Sequence, residues 1–142
     1  MANIRRLTLD DYDAIVGLWQ QTGLHSLRLQ GRDSRQAMAA QLAAGQVILG
    51  LEEAGQLIGA VVVTHDTRKG WINRLAIHPD HRRQGHAARL VAAAEDELRG
   101  LGYGLFAALI EDDNAASKAL FAHEGYKMHA ITYVSKRDNE DV

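Results

Sequence analysis

The sequence predicts an α+β fold in which one mixed β-sheet is flanked by helices. Apolar residues recur with a helical period in the first third of the chain, and from Gln46 the pattern becomes that of strands. Three β-branched runs then follow one another with only short turns between them, which is the pattern of an antiparallel meander. Finally, a strand-like run, a helix-like run and a second strand-like run occupy residues 71–110, and a crossover of that kind requires its two strands to pair in parallel. With 142 residues the chain has the length of a single domain, able to bury something like 68% of its unfolded surface.

The elements follow in order. "TLDD" at Thr8–Asp11 has the form of a capping box and leads into Tyr12, Ile15, Val16 and Trp19, spaced i, i+3, i+4, i+7 on one helix face. This first helix should end near Gly23. Asp33 and Gln36 are placed to open a second helix whose apolar side carries Met38 and Leu42 and which stops near Gly45. "QVILGL", the turn "EEAG" and "QLIGAVVVTH" read as a hairpin, and "WINRLAIH" follows a turn around Arg68–Gly70. Leu90, Val91, Ala94 and Leu98 share one face of a long helix that ends at Gly100 and Gly102. "YGLFAALI" is then expected as a strand, "NAASKALFAHEG" as a short helix with Gly125 at its end, and "YKMHAITYVSK" as a last strand. The polar residues 137–142 are expected to fray.

Composition limits the function classes. A 46% hydrophobic and 24% charged chain with a net charge of −2 is not a general binder of nucleic acid or of anionic membranes. Cysteine is absent, which excludes disulfides, thiolate zinc sites and a thiol nucleophile and fits a reducing compartment. "MANIRRLTLDD" lacks the apolar core of a signal peptide and no stretch reaches the length of a membrane span, so a cytoplasmic protein is expected. His78 and His81 have i, i+3 spacing, but Pro79 lies between them and no third ligand is in view; a surface turn accounts for them better than a metal.

The most informative stretch is "HPDHRRQGHAARL", residues 78–90, between a strand and a helix. A helix N-terminus exposes unpaired amides and about half a positive charge, so a strand-to-helix turn with a residue lacking a side chain lets phosphate oxygens approach. Gly85 supplies that clearance, Arg82, Arg83 and Arg89 add charge, and Ala87 and Ala88 keep the first turn narrow. These residues predict a phosphate or diphosphate ligand on the amides of Arg82 to Ala88. The P-loop string and the dinucleotide-fold string are both missing. The competing reading is a plain turn with solvated arginines.

"LAIHPDHRRQGHAARLV" resembles motif A of the GNAT superfamily of acyl-CoA-dependent N-acyltransferases, whose signature [QR]-x-x-G-x-[GA] reads here Arg82-Arg83-Gln84-Gly85-His86-Ala87. "DNAASKALFAHEGY" is similar to the family's later motif, and the order of elements matches over residues 3–135. The resemblance implies a GNAT-like domain spanning 1–142, a direct acetyl transfer from acetyl-CoA to a primary amine, no metal, and, as is frequent in that family, a homodimer. It places the diphosphate on the amides of Arg83, Gly85, Ala87 and their neighbours Gln84, His86 and Ala88, with Arg82 at the Gln/Arg position. It also implies a bulge at which the strand "WINRLAIH" splays from its neighbour. There the Leu75 amide would stabilise the oxyanion, and Ile77, with Ala76 between, would pair with the pantetheine arm. Asn114 would bond that arm or cap its helix, and Ser117 and Phe121 would line it.

Two departures from the family pattern bear on mechanism. Some members carry a glutamate base early in this strand, whereas the chain reads Trp71-Ile72-Asn73-Arg74; many carry a tyrosine acid where this chain has Phe121. An amine with a pKa near 10 must lose a proton before attack, at a cost of about 4 kcal/mol at neutral pH. The candidate base is Glu111 or, alternatively, a water chain reaching bulk solvent, and Tyr133 and Ser117 are candidate acids. Trp19, Trp71, Phe106 and Phe121 are expected in the core, with Trp71 also a candidate wall of the acceptor pocket. Arg28 and Arg32 hint at an acidic acceptor. A small-molecule amine is the leading acceptor. A protein N-terminus or lysine on the same fold, and a non-catalytic acyl-CoA-binding module, are the alternatives.

Overall fold

Five strands and four helices make three layers in the computed structural model, which describes residues 2–24 and 26–142. Strands β1 (Asn3–Arg6), β2 (Val47–Glu53), β3 (Gln56–His65), β4 (Gly70–Ile77) and β5 (Phe106–Ala107) lie in the order β1-β2-β3-β4-β5. The first three junctions are antiparallel, and β4 pairs with β5 in parallel. Helices α1 (Tyr12–Gln21) and α2 (Arg35–Ala43) precede the meander, α3 (His86–Gly100) crosses from β4 to β5, and α4 (Ala115–His123) follows β5. The expected mixed sheet is therefore present.

The sheet is buried on both faces, which explains the unbroken valine run of β3. Val61 and Val63 pack with Leu90, Val91, Ala94 and Leu98 of α3. Val62, one residue out of phase, packs with Ile15, Leu18 and Trp19 of α1 and with Met38 of α2. Leu90, Leu98, Ile15 and Ile58 are fully buried, each such side chain stabilising the fold by about 1.5–3 kcal/mol. The β2–β3 turn places Ala54 and Gly55 at φ 52° and 79°, the left-handed pair of a two-residue hairpin.

Several expectations need correction. Helix α2 is capped by Ser34, whose side chain accepts the Ala37 amide, and Asp33 is free for another role. Edge strand β1, with sequence NIRR, was not foreseen; Arg5 there bonds Asp11 and Glu52. The strand expected over residues 103–110 keeps a partner only at Phe106 and Ala107, with Leu105 and Leu109 59% and 60% exposed. Residues 126–136 alternate apolar and polar but form no ladder, because the edge they would join is two residues long. Tyr133 stands there 71% exposed, not half-buried in a sheet. Trp19 and Phe121 are core, as expected, whereas Trp71 and Phe106 are only partly buried.

Candidate active site

The turn from β4 into α3 is built to leave amides open. His78 accepts the Asp80 amide through Nδ1 at 3.1 Å and so caps a short 3-10 turn, Pro79–His81. His78 and His81 sit edge to face on this surface turn, 5.5 Å apart. Among the described residues no group of three or more His, Cys, Asp or Glu side chains is arranged to hold a metal ion. Arg83 then takes φ 63° and Gly85 φ 81°, two left-handed positions that turn the chain sharply into the helix. For Arg83 that conformation costs about 1–3 kcal/mol, which the surrounding turn must offset.

Gly85 is the N-cap of α3 and among the described residues no side chain caps that helix end, whereas Ser34 and Asn114 cap α2 and α4. A Cβ placed on Gly85 would meet nothing within 4 Å. Residues Arg82 to Gly85 are exposed, and Ala87 and Ala88 are half-buried. His86 turns inward, only 9% exposed; its Nε2 lies 3.1 Å from Gln84 Oε1 and its Nδ1 has no hydrogen-bond partner among the described residues. Two of the arginines have structural duties: Arg82 Nε donates to the Ile77 carbonyl at 3.3 Å, and Arg89 donates to the Ala2 carbonyl at 3.1 Å.

Strand β4 reaches this turn through a bulge. Val62 pairs with Asn73 and Ala60 with Ala76, so Arg74 and Leu75 together face Val61 without register partners of their own. Arg74 takes φ 50°. On the other side, β4 pairs with β5 at Gly70 and Trp71, and from Ile72 to Ile77 that edge has no strand beside it among the described residues. Leu75, Ala76 and Ile77 thus lie along an open strand edge that runs into the Gly85 turn.

What holds the bulge is a contact between residues far apart in the chain. Arg74 donates to Asp33 twice, Nη1 to Oδ1 at 2.6 Å and Nη2 to Oδ2 at 3.2 Å, and its guanidinium lies 4.7 Å from the centre of the Trp19 ring. The carboxylate is 6% exposed and also accepts the Arg28 amide at 2.8 Å. The Tyr12 hydroxyl donates to the Asp33 carbonyl at 2.7 Å. Arg28 and Arg32 bond carbonyls of their own loop, those of Leu27 and Ser26.

The residues of α4 stand as follows. Asn114 accepts the Ser117 amide at 3.1 Å and caps the helix. Glu111 is exposed at the end of the β5 segment, and beside it Asp112 pairs with Lys118 at 2.8 Å, which holds the Asp112 carboxyl below its usual range. Ser117 is half-buried. Phe121 is 3% exposed, with its ring edge-on to Tyr126 at 4.9 Å.

Comparison with known proteins agrees with this architecture. The family model described as acetyltransferase (GNAT) family matches residues 5–126. Acetyltransferase SG1711 of Sodalis glossinidius is 27% identical over 140 residues, covering 97% of this chain and 96% of that one. PaiA N-acetyltransferase of Thermoplasma acidophilum, solved in complex with coenzyme A, superposes with a TM-score of 0.82 at 15% identity over 93% of each chain. The ribosomal-protein-S18-alanine N-acetyltransferase of Escherichia coli does so with a TM-score of 0.78 at 21% identity, over 92% of this chain and 80% of that one. The aminoglycoside 6'-N-acetyltransferase AAC(6')-IG of Acinetobacter haemolyticus reaches 0.76 at 21% identity, over 96% and 99%. Among the described residues no helix is long and apolar enough to cross a membrane. With the family model covering most of its length, and with the bulged strand and uncapped glycine turn in the matched segment, the chain belongs to the acetyltransferase (GNAT) family of acyl-CoA-dependent N-acyltransferases.

Proposed function

We propose that the protein acetylates the primary amine of a small molecule with acetyl-CoA as donor. The observation that carries this reading is the open N-terminus of α3: its amides lack a side-chain cap, its N-cap is glycine, and the space beside that glycine is empty. Those features fit a diphosphate, which supplies the acceptor oxygens that the helix end lacks. In this reading the amides of Arg83, Gln84, Gly85, His86, Ala87 and Ala88 hold the diphosphate, with Arg82 and Arg83 adding charge. The edge of β4 at Leu75, Ala76 and Ile77 receives the extended arm as an added strand would, and Asn114, Ser117 and Phe121 of α4 would line that arm.

Acetyl-CoA contributes an acetyl group activated as a thioester. The Leu75 amide, freed from register by the bulge, donates to the thioester oxygen as negative charge develops there; a comparable donor is worth about 3–4 kcal/mol. Because that donor is backbone, its strength depends on how firmly the bulge is held. Strand β4 carries no carboxylate, and Asp33 is engaged by Arg74, so the acceptor's proton leaves through water with exposed Glu111 as the side-chain candidate. Phe121 has no proton to give, and the leaving thiolate needs none to depart.

The small-molecule acceptor is supported by the likeness to the aminoglycoside 6'-N-acetyltransferase AAC(6')-IG, which extends over 96% of this chain. The likeness to the ribosomal-protein-S18-alanine N-acetyltransferase keeps a protein N-terminus as the alternative. The test is free-thiol release from acetyl-CoA across a panel of amines, aminoglycosides and peptides ending in alanine or bearing lysine. Turnover with small amines and none with peptides supports the reading. Turnover with peptides alone moves the acceptor to protein, and tight CoA binding without turnover makes the chain a binding module.

A further inference from the structure

We propose that Arg74 and Asp33 form a positioning pair for acetyl transfer, holding the β4 bulge in the backbone conformation that sets the Leu75 amide and tying that conformation to the loop between α1 and α2. The inference rests on the reading of the bulge as the thioester site.

The backbone of Arg74 has φ 50°, a left-handed conformation that a residue with a side chain rarely adopts and that local propensity does not supply. Sheet register does not supply it either. Arg74 and Leu75 have no register partners in β3, and pairing with β5 has already ended at Trp71. The side chain of Arg74 is instead the anchored part: a two-pronged bond to Asp33 on one side and the Trp19 ring on the other.

Asp33 is itself fixed at three points. Its carboxylate accepts the Arg28 amide, its own amide donates to the Arg28 carbonyl at 2.9 Å, and its carbonyl accepts the Tyr12 hydroxyl. A continuous set of contacts therefore runs from α1 through the 26–34 loop to the residue directly before Leu75. The carboxylate is not spent on capping α2, which Ser34 does. Both of its oxygens face Arg74, and Oδ2 also takes the Arg28 amide, so it is no candidate for the missing base. An ion pair this far out of water, with Arg74 21% and Asp33 6% exposed, is a poor stabiliser compared with apolar side chains of the same volume, so the role assigned to it here is to fix one geometry.

The test uses Asp33→Asn, Arg74→Lys, and the double variant Asp33→Asn/Arg74→Gln, which leaves no lone buried charge. Calorimetry measures CoA affinity, the thiol-release assay separates kcat from KM, and infrared difference spectra of bound acetyl-CoA labelled with carbon-13 at the carbonyl report how strongly the thioester oxygen is polarised. The expected result is CoA affinity and KM for acetyl-CoA within about threefold of wild type, kcat lowered by about 10- to 100-fold in the double variant, and loss of the carbonyl shift. Arg74→Lys, which keeps the charge but not the fork, should fall between. If Asp33→Asn does not fold, the double variant and Arg74→Lys decide. Folded variants with wild-type kcat and wild-type carbonyl frequency overturn the pair's role while leaving the site reading intact. A wild-type protein that binds no CoA overturns the site reading, and this inference with it.

Discussion

The Tyr126 hydroxyl donates to Glu95 Oε2 at 2.6 Å, joining the chain just beyond α4 to the middle of α3. Burial, and then the bond to Glu95, push the Tyr126 phenol well above its usual value of 10.0, so the bond persists throughout the neutral range. Tyr126→Phe should lower stability by about 1 kcal/mol, since Glu95 keeps Arg99 at 3.6 Å and some solvent, and the melting temperature by about 3–5 °C. The pH dependence has a definite sign. A group whose pKa is raised by folding contributes fully below its unfolded value, and the contribution fades as pH climbs beyond it. Denaturant melts of wild type and variant should thus differ by a constant amount up to about pH 9 and converge above 10.

Gly85 is where fold and binding are expected to separate. A side chain at φ 81° costs about 1–2 kcal/mol for an L residue, yet it meets no protein atom within 4 Å, so Gly85→Val should remain folded. The same side chain would fill the approach to the α3 amides. CoA affinity should fall by about 30-fold or more, equivalent to about 2 kcal/mol, with Gly85→Ala intermediate. Calorimetric titration at constant ionic strength measures this, and unchanged affinity in a folded Gly85→Val protein would place the diphosphate elsewhere.

If Phe121 stands where the family pattern has a tyrosine acid, its lack of a proton and the lack of a carboxylate on β4 lead to a one-sided pH profile. With the acceptor losing its proton to water, kcat/KM for a small amine should rise about tenfold per pH unit until the acceptor's own pKa is approached. No alkaline decline from an enzyme acid should follow below about pH 10, where unperturbed tyrosines titrate. A bell-shaped profile with an alkaline limb near pH 8 or 9 would reveal an acid that this reading lacks. Solvent-isotope effects at the plateau would then locate its proton in the transition state.

Much of the geometry of the candidate site was legible because it is local. "RRQGHA" places one glycine, two arginines and an alanine within six residues, and the physics of a helix end needs no distant partner. The meander was legible for a similar reason: Val61, Val62 and Val63 between tight turns have few alternatives. The pair Arg74–Asp33 was not, because its members lie 41 positions apart and Asp33 followed by Ser34 offers two equally good helix caps. Only the folded chain shows that Ser34 does the capping. The strands expected over 103–110 and 126–136 have the right residues, but a strand is defined by its partner. Pairing between β4 and β5 ends at Trp71, three residues before the bulge at Arg74, so the residues of β5 beyond Ala107 have no ladder to join among the described residues.

Gly70 shows how the same residue reads differently once its neighbour is known. In sequence it closes the turn "TRKG", yet it is the first residue of β4, paired with His65 on one side and Phe106 on the other. Its φ is not left-handed, so conformational freedom is not why glycine suits it. A Cβ there would stand 2.3 Å from Leu98 Cδ1 and 2.8 Å from Leu98 Cγ, and Leu98 is fully buried in α3 with little room to retreat. Gly70→Ala should therefore destabilise the protein by about 1–3 kcal/mol through overpacking. Leu98→Ala alone should cost about 2–5 kcal/mol by leaving a cavity. Combining the two restores volume, so the double variant should be more stable than the sum of the single losses by at least about 1 kcal/mol. Because the contact lies at the far end of β4 from Gly85, none of the three should change CoA affinity more than about twofold when measured well below the melting temperature. Strictly additive losses in the double variant would mean that α3 and β4 are not in contact there.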